Sequence, residues 1–188
     1  MILSFFDPIT YNGAPTADIF RSYQKYFDEV AASFIIPKFF ISGSPRPELL
    51  SYQIYGDVRY YWVLLMINGI YDPFHGWIKS EEAVHGSAAQ KYVNMPNGAN
   101  EILYHVNSEG QKFWRMSEYP IGSGNWYDLG DDQHRHLQYR GTLVPVTGIE
   151  HELNVNESKR TINIVSPSDM TRFLDLLTRR LEKVRDGS

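Results

Sequence analysis

The chain has no cysteine. Disulfides and thiolate chemistry are excluded, and the composition suits a reducing compartment. A membrane-spanning helix needs roughly 20 apolar residues in a row, and the most apolar stretch, 58–67, is far shorter. No membrane partner is expected. The opening Met-Ile-Leu-Ser-Phe-Phe-Asp-Pro has neither a basic segment nor a long apolar core, so no signal peptide is expected either. Positive charge is scarce: 18 Lys and Arg stand against 22 Asp and Glu, a net charge of −4. Nucleic-acid modules show a basic face, so no nucleic-acid partner is expected.

Catalytic signatures are missing as well. There is no Gly-x-Ser-x-Gly, no phosphate loop and no dinucleotide fingerprint. His134 and His136 share one side of a strand if they lie on one, but no third and fourth ligand follows at a recognisable spacing. His151-Glu152 lacks the second His of a zinc-protease helix. Glu81, Glu82, Asp131 and Asp132 supply carboxylates of the kind a lysozyme-like enzyme pairs, yet nothing places them across a cleft. The expectation is no enzyme, no metal and no cofactor.

What the chain has in excess is aromatic side chains, 14% of 188 residues, with 13 Tyr, 10 Phe and 4 Trp. Aromatics serve cores and interfaces alike, because they carry large contact area and, in Tyr and Trp, a polar tip. The length allows one or two domains with a sizeable core.

Residues 1–15 read as an extended aromatic arm without secondary structure of its own, with turns at Asp7-Pro8 and Asn12-Gly13. The arm packs on its own domain or docks on a partner. Residues 16–35 read as a helix, since Ile19, Phe20, Tyr23, Phe27, Val30 and Phe34 recur at three- and four-residue steps. Residues 43–73 organise the rest. Pro45 and Pro47 suit the approach to a helix, where the first N–H groups have no acceptor. Gly56 suits a left-handed helix end, and Asp57 a cap for the next helix. The stretch 58–67 is apolar almost all round, as a core helix is. Asn68-Gly69 stops it, and Asp72-Pro73 turns the chain away.

Ser80-Glu81-Glu82 opens another helix, with Val84, Ala88 and Tyr92 as its apolar line. Residues 101–116 read as a hairpin turning at 107–110. Residues 117–146 look irregular, and a loop region this long is functional or held by a neighbour. Thr147 and Glu150 fit a capping box for a helix to about Ser158. Thr161 to Val165 alternates like a strand. Ser166-Pro-Ser-Asp169 reads as the start of a last helix, with Met170, Phe173, Leu174, Leu177, Leu181 and Val184 along one stripe.

Residues 39–73 resemble the LysM module. There a strand leads through Gly-Asp-Thr-Leu into a helix, then Tyr-Gly-Asp, a second helix with Trp, an Asn and an Asp-Pro turn. Phe39-Phe40-Ile41, Tyr55-Gly56-Asp57, Trp62, Asn68 and Asp72-Pro73 match. Gly43-Ser44-Pro45-Arg46-Pro47 departs from Gly-Asp-Thr, and no closing strand follows at the usual distance. The strand at 161–165 would close the module. The expected fold is therefore α+β, with a discontinuous LysM-like βααβ core at 38–73 plus 160–166. An N-terminal arm and helix (1–37) precede it, an inserted lobe of helix, β-hairpin and long loops (74–159) interrupts it, and a C-terminal amphipathic helix (167–188) follows.

A second resemblance runs nearly end to end. Phe5-Phe6-Asp7-Pro8-Ile9, Asp18-Ile19-Phe20-Arg21-x-Tyr23, Gly43-Ser44-Pro45-Arg46-Pro47-Glu48, Ile54-Tyr55-Gly56-Asp57 and Tyr61 to Met66 carry its first half. Tyr71-Asp72-Pro73, Gly76-Trp77-Ile78, Gln90-Lys91-Tyr92, Tyr104-His105-Val106-Asn107, Trp126-Tyr127-Asp128 and Ser168-Asp169 carry the second. The chain resembles the LysM-like baseplate wedge subunits (gene product fifty-three type) of T-even-like contractile-tailed bacteriophages.

That resemblance implies a structural subunit that wraps the wedge-core bundle and bridges neighbouring wedges. The implied partners are wedge-core bundle subunits, a sheath-initiator-like subunit and the neighbouring wedge, with six copies per baseplate. The implied location is the virion tail baseplate, with host cytoplasm during assembly. Phe5, Phe6, Ile9 and Tyr11 of the arm, Arg46, and the aromatics Trp77, Trp114, Trp126 and Tyr127 are the expected contact residues. The alternative is a LysM carbohydrate binder for peptidoglycan or chitin. Pro45 and Pro47 count against it, because they remove backbone donors from the mouth where sugar binds.

Overall fold

A computed structural model describes residues 9–16 and 23–186. In chain order, the first elements are β1 (Ile9–Tyr11), β2 (Ala14–Thr16), α1 (Tyr23–Ala31), β3 (Lys38–Phe40), α2 (Pro47–Tyr55), α3 (Tyr61–Ile67) and α4 (Pro73–Gly76). Then come α5 (Glu81–Lys91), β4 (Ile102–Val106), β5 (Lys112–Trp114), β6 (Met116–Glu118), β7 (Asn125–Asp128), β8 (Leu137–Arg140) and β9 (Val144–Thr147). The chain closes with α6 (Gly148–Ser158), β10 (Thr161–Asn163) and α7 (Met170–Asp186). The class is α+β. The chain divides into two compact units, one formed by residues 1–78 and 159–188 and the other by 79–158.

In the first unit, β3 pairs antiparallel with β10, Phe39 opposite Ile162. Within the unit, β3, α2, α3 and β10 follow one another as strand, helix, helix and strand, with the last strand far along the chain. Gly56 ends α2 at φ 73°, its N–H bonded to the Tyr52 carbonyl. Asp57 then accepts from the Arg59 N–H and starts a single 3-10 turn that runs into α3. The stretch expected as one helix is therefore a tight turn followed by a helix. Asp72-Pro73 does more than turn the chain, because the Asp72 carboxylate accepts from Phe74 N–H and caps the short α4.

Two apolar clusters hold this unit. Phe27 and Phe173 lie edge to face at 5.1 Å between α1 and α7, with Val63 of α3 and Leu177 and Leu181 around them. Ile41, Leu50, Leu64, Trp77, Ile162 and Ile164 form the other, under the two-stranded sheet.

Three expectations need correcting here. Residues 9–15 were expected to lack secondary structure, but β1 and β2 pair across the Asn12-Gly13 turn. Both turn residues have positive φ, 49° and 78°, and that geometry suits the twist of a two-residue hairpin. Of the expected helix 16–35, Thr16 lies in β2, residues 17–22 lie outside the described residues, and α1 covers Tyr23–Ala31, ending in a tightened turn. The last helix begins at Met170 rather than at the Ser-Pro pair, because the Asp169 N–H first closes a turn onto Ser166.

The second unit holds two small sheets and two helices. β4 is central in the order β5-β4-β9, and β7 in the order β6-β7-β8. Residues 117–146, expected as irregular, thus contain two whole strands, β7 and β8, and most of two others, β6 and β9. Around β7 the turns are set by side chains: Glu118 accepts from the Gly124 N–H and Asp128 from the Gly130 N–H. On the other side, Tyr92, just past α5, packs with Ala99 and with Ile149 of α6. The Thr147–Glu150 capping box forms as expected: the Thr147 N–H donates to the Glu150 carboxylate at 2.8 Å, and the Glu150 N–H returns to Thr147 Oγ1 at 3.3 Å.

Candidate interaction surfaces

The turn between β3 and α2 is braced from two sides. The Arg160 guanidinium donates to the carbonyls of Ile41 and Gly43, at 3.0 and 2.9 Å. Trp77 donates its indole N–H to the Pro45 carbonyl at 2.8 Å. Arg46 stands between these braces, exposed and extended (φ −63°, ψ 153°), as a residue before proline must be. Among the described residues it has no salt bridge. Trp77 is 4% exposed, so it acts here as an internal strut.

The other end of the β3–β10 pair is fixed by Asn68. Its amide donates to the Leu64 and Asn163 carbonyls and accepts from the Asn163 N–H, each at 2.8 Å. Sequence reasoning credited Asn68 with stopping a helix and with matching the LysM Asn, but not with this bracing. Tyr55 donates to the Val165 carbonyl, and burial pushes its hydroxyl pKa up to about 12.

Large apolar side chains face outward on this frame. Leu49 and Tyr52, three apart on α2, are exposed, while Leu50 and Ser51 face inward. Tyr71 and Phe74 flank the α4 cap at 80% and 72% exposure. His75 holds Asp72 at 2.6 Å, and this contact keeps the Asp72 carboxyl below its ordinary value. Of the four apolar residues, only Tyr71 was quoted from the sequence, within the Tyr71-Asp72-Pro73 run, and none was named there as a contact residue. The available signal was Leu49 and Tyr52 lying off the inward face of Leu50 and Ile54.

In the second unit, Trp114 on β5 is 58% exposed and leans on Tyr104, ring centres 4.8 Å apart. Trp126 faces inward, against His105 at 4.8 Å, with its indole N–H on the Gly141 carbonyl. Tyr127 lies half-buried on the opposite face of β7. There His134 meets it edge-on and stacks flat on Tyr119 at 3.9 Å. Phe5 and Phe6 of the expected arm lie outside the described residues, and Ile9 and Tyr11 fall in β1.

The Asn156 amide is 5% exposed and was not singled out from sequence. It accepts from the Lys79 N–H at 2.8 Å and donates to the Lys79 carbonyl at 2.9 Å, clasping the first residue of the second unit next to its last turn.

Among the described residues no group of three His, Asp or Glu side chains is placed to hold a metal ion. Among them, too, no helix is long and apolar enough to cross a membrane. The described surface carries large apolar and aromatic side chains, Leu49, Tyr52, Tyr71, Phe74 and Trp114, in the open. The sequence matches the family described as Base plate wedge protein 53 over residues 1–180, and the chain belongs to that family. It is 43% identical to the baseplate wedge protein gp53 of Enterobacteria phage T4 over 192 aligned residues, 97% of each chain.

Proposed function

We propose that this chain is a structural subunit of a phage tail baseplate wedge, bridging adjacent wedges and wrapping the wedge core during assembly. The observation that carries the reading is the family match over nearly the whole chain, with 97% coverage in both directions against the T4 relative. Its partners are wedge-core bundle subunits, a sheath-initiator-like subunit and the neighbouring wedge, at six copies per baseplate. It acts in the virion tail baseplate and is recruited there from the host cytoplasm. Its function is contact rather than catalysis.

The strand–helix–helix–strand order of β3, α2, α3 and β10 supports a LysM-like core, split by the unit at 79–158. Arg46, Trp114, Tyr127, Leu49, Tyr52, Tyr71 and Phe74 are the contact residues on the described surface, and Phe5, Phe6, Ile9 and Tyr11 those of the N-terminal arm. A few aromatics and arginines dominate such interfaces. Trp77 and Trp126 support these surfaces from within. The sugar-binding alternative draws no support: Pro45 and Pro47 carry no N–H, and the Pro45 carbonyl is taken by Trp77.

The test is infection with a phage lacking the gene, supplied with the wild-type chain or with L49S/Y52S/Y71S/F74S. The deletion should stall assembly at free wedges, and the variant should lower incorporation at least tenfold with an unchanged thermal transition. Closed baseplates of normal composition formed without the chain would overturn the proposal.

A further inference from the structure

α7 carries more positive charge than its own packing uses. Arg172 stacks over Phe34 at 5.6 Å, and Arg180 stacks over Tyr26 at 5.4 Å while its Nε meets Glu29 at 2.7 Å. Arg179 and Lys183, four apart on one rim of the helix, are exposed and make no salt bridge or ring contact among the described residues. Both border a groove of about 420 Å³ between α1 and α7, lined also by Glu29, Val30, Ser33 and Leu176. Its floor is apolar, from Val30 and Leu176. The carboxylate at its edge, Glu29, is already neutralised by Arg180. Asp175 and Glu182 share α7, yet neither pairs with the two free cations among the described residues.

A helix C-terminus favours cations in its last turn, and that accounts for a basic bias there. It does not account for an apolar floor beside two unpaired cations in a chain of net charge −4. Two solvated cations flanking an apolar slot complement a segment that inserts one apolar side chain and offers carboxylates on either side of it. Such pairs set orientation and exclude wrong partners by like-charge repulsion.

The geometry points to the α1–α7 groove as a docking site for an acidic segment of a partner protein, with an apolar side chain seated on Val30 and Leu176 and carboxylates reaching Arg179 and Lys183. This rests on the assembly role proposed above and names the chemistry of one contact within it.

The test uses the full chain in infected cells. R179E/K183E should cut incorporation into baseplates at least tenfold, while R179K/K183R leaves it unchanged. Pseudorevertants of R179E/K183E should carry Asp or Glu changed to Lys or Arg in another baseplate protein. A photo-crosslinker at Ser33 should then capture that same acidic segment in wild-type particles. Normal incorporation of R179E/K183E overturns the groove while leaving the wedge reading intact. So does a crosslink to nucleic acid, to lipid or to a basic segment. Absence of the wild-type chain from baseplates would instead sink the wedge reading itself. If R179E/K183E loses its thermal transition, R179A/K183A replaces it, with a threefold or larger loss expected and normal incorporation again overturning the site.

Discussion

At the scale of single residues, buried polar groups decide most. His105 lies near the end of β4 at 8% exposure, with Nδ1 lacking a hydrogen-bond partner among the described residues. Burial lowers its pKa from the ordinary 6.5, so the folded chain holds the ring neutral where the unfolded chain takes up a proton. Stability is therefore retained above about pH 6.5 and falls as the pH drops below it. The urea midpoint of the wild-type chain should decline between pH 7 and 5, and His105→Phe should remove part of that slope. Equal slopes for both would refute the assignment. Trp77→Phe keeps most of the packing but strips the donor from the Pro45 carbonyl. It should cost about 1–2 kcal/mol by denaturant unfolding. Under hydrogen exchange it should also leave the Arg46 and Glu48 amides less protected.

At the scale of elements, α6 shows how closely some turns are fitted. Its first residue, Gly148, is buried, and a Cβ there would lie 2.8 Å from the Tyr92 ring and 2.9 Å from the Ala99 carbonyl oxygen. Gly148→Ala should destabilise the chain by about 1–3 kcal/mol, measured by thermal melting, because both neighbours are themselves packed. Signals written in adjacent residues were legible in the sequence. The Gly56 stop, the Asp57 cap, the capping box at the start of α6 and the stripe of α7 all depend on partners within a few positions. The β6-β7-β8 sheet was not legible. Its strands are three or four residues long, too short for an alternation to declare itself, and its turns rest on particular carboxylates such as Glu118. The Asn156 clasp was equally hidden, since its partner lies 77 positions away. As for the interaction surfaces, Trp77 and Trp114 look alike in a sequence. The first is drawn inward by a carbonyl at indole reach, while the second leans on Tyr104 at the sheet edge with one face open.

At the scale of the molecule, the second unit is continuous in sequence and the first is not. In the first, Ile78 is buried beside Trp77, and Lys159 donates from Nζ to the His75 carbonyl at 2.6 Å. The chain therefore leaves and rejoins that unit near one place. Replacing 79–158 by a short Gly-Ser linker should leave the first unit folded, with a cooperative melt and the β3–β10 pair detectable by nuclear Overhauser contacts between Phe39 and Ile162. The excised 79–158 segment should fold too, because the Asn156 amide and Lys79 backbone hold its ends together. A linker chain that melts without a transition would show that the first unit depends on the second.

The Asn156 clasp also bears on the order of events during folding. β3 and β10 must find each other across a long excursion; Arg160 reaches the Ile41 carbonyl over 119 positions. Closing a flexible loop costs only about 0.6 kcal/mol more per doubling of its length, so the penalty at equilibrium is small. The kinetic burden is larger, because distant pairings slow the search. Once the inserted segment has folded and Asn156 has gripped Lys79, most of that excursion ceases to be loop. The two strands then behave as near neighbours joined by a solid link. The expected sequence is insert first, sheet second, with the turn around Arg46 set last, once β10 has brought the adjoining Arg160 into place.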